Sequence, residues 1–249
     1  NTRSRGLGDV YKRQVLMPSE ADPHTYDPAP QDAGKIADAD LVFYTGLKYE
    51  PAALIKLLEN SACDTEVLSE VGQNVYPIET DEEEEGHEGH DHGAYDPHFW
   101  FDPNRVAYAA EYIEGKLSEF DSNNASEYQV ATDVFVNDLK DLSRQVSELI
   151  SSVPSQNRKL ITTHESLGYL EAKYGLEILS TIIPSLTSAN EISPSDLAKV
   201  IDTIEDNNVK VIFIEAEAPS VYSETIVAET NIKAVTGLWV ETLKENQSY

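Results

Sequence analysis

Apolar positions step by three or four residues through the middle of the chain. Val130 or Ala131, Phe135, Leu139, Leu142, Val146, Leu149 and Val153 fall on one stripe, and Pro154 follows. That period predicts one long amphipathic helix over residues 125–153, ended by the proline. A shorter stripe, Val106, Ala110, Ile113, Leu117 and Phe120, predicts a helix that Asp102 caps and Pro103 opens.

After the long helix the pattern alternates. LITT (160–163), LSTII (179–183) and VKVIFI (209–214) read as buried strands, with IKAV as a short last one. Between them, 165–174, 193–207 and 220–230 read as helices, the second capped by Ser193 before Pro194. The first half is a sparser version: a strand LVFYT after a helix end within 36–47, and a short helix over 51–60. Strands alternating with helices imply crossover units, hence parallel sheets covered on both faces. The predicted fold is α/β, with two parallel-sheet lobes joined by one long interlobe helix. The lobes are expected at residues 15–124 and 154–249, with 125–153 as the strut.

Composition changes the picture at two places. Residues 1–14 carry Arg3, Arg5, Lys12 and Arg13 ahead of a very acidic chain, and they read as foreign or misread sequence. The chain reads as truncated at both ends, VLMPSEADPH starting within a lobe and ENQSY stopping without a helix end. Residues 79–94 form a low-complexity acidic run holding His87, His90 and His92, which cannot pack a core. Overall, 45 acidic against 18 basic residues give a net charge of -27 among 249 residues. That balance argues against a nucleic-acid partner, which needs a basic face, and permits attraction of cations. The single cysteine, Cys63, excludes an intramolecular disulfide and a cysteine-rich zinc cluster. No apolar run reaches the roughly 20 residues of a membrane helix.

The chemistry is carried by a repeated triplet. Asp22-Pro23-His24 and Asp96-Pro97-His98 each set a histidine behind a proline of fixed φ. A donor on so stiff a loop is ordered before any ligand arrives, which a metal site requires. One such histidine alone is more often an ordinary loop residue. A third histidine, His164, directly follows the strand LITT, at the carboxyl edge where α/β sheets bind ligands. Three imidazoles from separate loops with one carboxylate suit zinc, with manganese as the alternative ion. At a reference pKa of about 6.5 these rings predict that metal affinity falls from about pH 7 toward 5.

At these motifs the chain resembles the zinc/manganese solute-binding proteins of ABC importers, the group with a rigid interlobe helix. DPHTYDPAP (22–30), DPHFWFDP (96–103) and THESLGYLEAKYGL (163–176) are similar to that family's first three ligand loops. Zinc-type members carry His in the third loop and manganese-type members often Glu. The resemblance implies ligands at His24, His98 and His164. The family's fourth ligand is a carboxylate, usually Asp; the matching segment GLWVETL offers Glu241, one methylene longer. Glu215 and Glu217 are rivals for which a supporting or surface role is preferred, and Glu165 is a further candidate to orient a ligand. The acidic run resembles the metal-collecting loop of zinc-type members, so His87, His90 and His92 are expected to bind zinc loosely. The resemblance implies an extracytoplasmic carrier, periplasmic or lipid-anchored, that delivers zinc or manganese to a membrane permease. It is expected to be a monomer without enzymatic activity. A zinc hydrolase would need an open metal position and a general base, for which Glu165 is the candidate. A metal-storage protein or adhesin is the third class.

Overall fold

The computed structural model describes residues 12–18, 21–80, 95–186, 188, 192–216, 220–243 and 249. His87, His90, His92 and Glu217 lie outside these residues.

The first half builds a small parallel pair. β1 (Val42–Tyr44) lies beside β2 (Leu68–Glu70), in register from Val42 opposite Leu68. α1 (Asp32–Ala37) and α2 (Ala52–Ser61) bury Ile36, Leu54 and Leu58 against Val42, Tyr44 and Leu68. β2 has no counterpart in the sequence reading, because LSE is too short and too polar to show a strand period. α3 (Pro103–Phe120) starts where expected: the Asp102 side chain accepts the Asn104 N–H at 2.9 Å.

The second half holds the larger core. β3 (Lys159–Thr162) pairs in parallel with β4 (Glu177–Thr181), and β5 (Val211–Glu215) with β6 (Lys233–Leu238). β3 and β5 run side by side. Ile161 of β3 and Ile212 and Ile214 of β5 interlock with Val200 and Ile204 of α6 (Pro194–Asp206), Ile226 of α7 (Ser220–Thr230), Ile182 and Ile232. The strand members of this core are β-branched, the type that packs well on a pleated surface. The Ser193 hydroxyl caps α6 by accepting the Asp196 N–H at 3.1 Å. α5 (Gly168–Tyr174) ends on Gly175, whose φ of 69° few other residues adopt freely.

α4 (Ala125–Ser152) is 28 residues long, about 42 Å at the α-helical rise. Its apolar stripe is less buried than its period implies. Val136 and Leu139 pack on Val106 and Ala107 of α3, whereas Val130 is 64% and Leu149 69% exposed. The cause is geometric: α4 meets α3 and, through the Ser143 and Tyr174 hydroxyls 3.2 Å apart, α5, and its ends run past both.

The two halves also share a cluster. Tyr169 of α5 packs with Val71, Val75, Phe99 and Ala109, and its hydroxyl donates to the Asp96 carbonyl at 2.7 Å. α5 begins at Gly168 rather than 165. Residues 164–167 are turned away from helix by the Thr162 hydroxyl and the Ser166 N–H, both donating to the His164 carbonyl, and by the Glu165 N–H donating to Ser185.

Candidate metal centre

Both Asp-Pro-His triplets are built alike. Asp22 Oδ1 accepts the His24 N–H at 2.9 Å, and Asp96 Oδ1 accepts the His98 N–H at 2.9 Å. Each aspartate thus closes a turn that holds its histidine two residues on. Asp96 Oδ1 also meets Nδ1 of the His98 ring at 2.7 Å. The second oxygen of Asp22 instead accepts the Ser188 hydroxyl, from the other half, at 2.7 Å.

His164 leaves the end of β3, and Glu215 leaves the end of the neighbouring β5. Their juxtaposition puts Glu215 Oε2 2.7 Å from His164 Nδ1. Glu215 is itself fixed, its N–H donating to the Thr163 hydroxyl at 3.0 Å. A carboxylate on Nδ1 selects the ring form whose lone pair is on Nε2, pointing away from the carboxylate. In His98 and His164 alike, Nε2 is therefore the donor offered to a ligand.

The structure brings His24, His98, His164 and Glu241 together, one ligand atom of each lying within 4.8 Å of the others. Glu241 Oε1 is 2.9 Å from His164 Nε2, 3.5 Å from His98 Nε2 and 3.7 Å from His24 Nε2. His98 and His164 Nε2 are 3.3 Å apart. Bonds of about 2.0 Å around a tetrahedral ion place its donors about 3.3 Å apart. His24 Nε2 and Glu241 Oε1 are buried without a well-formed hydrogen bond, despite the short approach of Oε1 to His164. Four ligand-type atoms converging at these distances in a buried site suit a cation among them.

The electrostatics agree. Burial works against a charged His164 ring, but the Glu215 and Glu241 carboxylates outweigh it and lift its pKa to about 10. His98 moves up in the same way, burial being outweighed by Asp96 and Glu241. Burial would raise Glu241, yet the three imidazoles hold it well below the usual carboxylate range. Tyr49, raised well above its ordinary value by burial and by the Glu241 charge, stays a hydroxyl donor.

The carboxylate orienting His164 is Glu215, and Glu165 is exposed. The sequence reading left Glu215 as a rival ligand with a supporting or surface role preferred, and named Glu165 as a further candidate to orient a ligand. Only the adjacency of β3 and β5 distinguishes the two. Tyr49 and Trp100 went unnoticed. Tyr49 donates to Glu241 Oε2 at 2.9 Å, and Trp100 Nε1 donates to the Val240 carbonyl at 2.9 Å. No spacing in the sequence announces either contact.

A family model described as zinc-uptake complex component A, periplasmic, matches residues 6–249. The chain belongs to this family. Among curated relatives, the manganese ABC transporter substrate-binding lipoprotein PsaA of Streptococcus mitis is 26% identical over 97% of this chain and 78% of its own length. The metal ABC transporter substrate-binding lipoprotein ScbA of Streptococcus cristatus is also 26% identical, over 96% of this chain and 76% of its own. A solved ZnuA structure superposes with a TM-score of 0.77 at 27% identity, covering 92% of this chain and 83% of that one. The periplasmic zinc-binding protein TroA from Treponema pallidum shares the fold at a TM-score of 0.82, 21% identity, 94% of this chain and 82% of that one. Along this chain β1 and β2 precede α4, and the β3–β4 and β5–β6 pairs follow it.

Proposed function

We propose that this chain is the extracytoplasmic metal-binding component of an ABC importer, that zinc is its cargo, and that His24, His98, His164 and Glu241 hold the ion. Manganese is the other ion the donor set admits. The observation that carries the reading is the convergence of the four donors: all lie within 4.8 Å of one another, and four of the six separations, 2.9, 3.3, 3.5 and 3.7 Å, scatter around the tetrahedral value of about 3.3 Å. Family membership supports the transport role, and the relatives named for zinc and for manganese support both ions. Residues 15–124 and 154–249 serve as the lobes and 125–153 as the strut between them. His24 and His98 come from one lobe, His164 and Glu241 from the other, so the cargo is held at their seam. Four protein donors complete a tetrahedron and leave no position for a reactive water, which favours carriage over hydrolysis. His87, His90 and His92 collect zinc loosely and feed this site.

The test is a zinc titration of the full chain against a competing chelator. One tight equivalent is expected, and the separate variants His98→Ala and Glu241→Gln should each weaken it by about a hundredfold or more with an unchanged circular dichroism spectrum. Wild-type affinity in either variant removes that residue from the site.

A further inference from the structure

Glu241 has two carboxylate oxygens, and they have different fates. Oε1 faces the three Nε2 atoms at 2.9–3.7 Å. Oε2 accepts the Tyr49 hydroxyl at 2.9 Å. A glutamate reaches farther and turns more freely than an aspartate, so unrestrained it can offer an ion both oxygens.

Tyr49 itself has little freedom. It is 6% exposed, and its ring stands edge-on to His24 at 4.9 Å and to Trp100 at 5.2 Å. It ends a loop in which Gly46, Leu47 and Lys48 all have positive φ, at 74°, 55° and 61°. Two of those are not glycine, so the loop carries strain that its surroundings must offset. Carboxylates supply the support: Glu50 accepts the N–H groups of Thr45 at 2.6 Å and Gly46 at 2.9 Å, and Glu70 accepts that of Leu47 at 3.0 Å. A loop pinned at three consecutive N–H groups places the hydroxyl at one point.

We propose that Tyr49 is a specificity-determining positioning residue: by occupying Glu241 Oε2 it limits the carboxylate to one bond and keeps the site four-coordinate. Four-coordination favours zinc, whereas manganese gains from additional oxygen donors. Tyr49 thus sets the ion preference of a site whose ligands alone admit both metals. The inference rests on the metal-site reading above.

The experiment compares the full-length wild type with Tyr49→Phe, which keeps the ring between His24 and Trp100. Zinc and manganese affinities are measured by competition titration, and the coordination of bound zinc by X-ray absorption. The wild type should show four ligands with a single oxygen, and the variant five, two of them oxygen. The zinc-to-manganese affinity ratio should fall about tenfold in the variant, the equivalent of one hydrogen bond to a charged group. An unchanged ratio, or equal loss for both metals, overturns the proposal. So does a wild-type zinc site with a two-oxygen carboxylate, a measurement that does not depend on the variant folding. A wild type without a tight zinc site would sink the metal-site reading itself, a result separable from each of these.

Discussion

Zinc affinity should keep rising with pH well above 7. In the metal-free site, burial opposes the charge on His164, but Glu215 and Glu241 prevail and lift it to about 10. An imidazolium has no lone pair for a metal, so a proton on this ring must leave when zinc arrives. With its pKa lifted that far, the metal-free ring carries a proton at pH 7. Affinity should therefore climb about tenfold per pH unit from 7 toward 9 on account of His164 alone, and His98, also shifted upward, adds to the dependence. Ordinary histidines would instead give a curve that levels near pH 7.5, the window expected from sequence. The sign for folding is opposite. A raised histidine pKa stabilises the metal-free protein fully below about pH 6.5, and that contribution is lost as pH rises toward 10. The metal-free form should thus melt at progressively lower temperature over the range in which zinc binds more tightly. Competition titrations from pH 6 to 9, with calorimetry in two buffers of different ionisation heat, measure both slope and protons released. A curve flat above pH 7.5, with less than about half a proton released per zinc at pH 7, would refute the reasoning.

Two further outcomes follow from groups around the site and beneath it. Glu215→Gln should lower zinc affinity about 10–100-fold, because the ring of His164 loses its charged hydrogen-bond partner; chelator competition measures it, and unchanged affinity would show that strand packing alone orients the ring. Ile212→Ala, in the middle of β5 with no exposed surface, should cost about 2–5 kcal/mol in urea unfolding while the cavity persists; a loss under about 1 kcal/mol would mean the second-half core relaxes around the gap.

Features governed by local chain stiffness or by repeated periods were legible in the sequence. The two Asp-Pro-His loops show themselves because proline and the preceding aspartate act within three residues. The helices over 103–120 and 125–152 show because their apolar stripes are long. What escaped depends on neighbours far apart in the chain. Glu215 meets His164 only because β5 lies beside β3, fifty-one positions away. Tyr49 meets Glu241 across 192 positions, and nothing near it suggests a polar partner. The α4 stripe misled in another way: its period is helical throughout, but of its members Leu139 alone is buried, beside Val136, which the stripe did not include. β2 is three residues long with two polar ones, below the length at which alternation can be read.

The seal over the site has a kinetic meaning. His98 and His164 have no exposed surface, and the Glu241 side chain is 1% exposed. On the proposed reading, an ion held there is shut from solvent while the two halves meet, however strong or weak its individual bonds. The seam is fastened near the site by Tyr49 on Glu241, Trp100 on Val240 and Asp22 on Ser188. At about 1 kcal/mol net apiece, these bonds add roughly 3 kcal/mol to the barrier against parting. To turn a population 1:99 parted into 99:1, a membrane permease must prefer the parted form by about 5.5 kcal/mol. How long an ion stays is thus set by the residues that button the halves together as well as by the donors proposed to hold it, and Tyr49 belongs to both accounts.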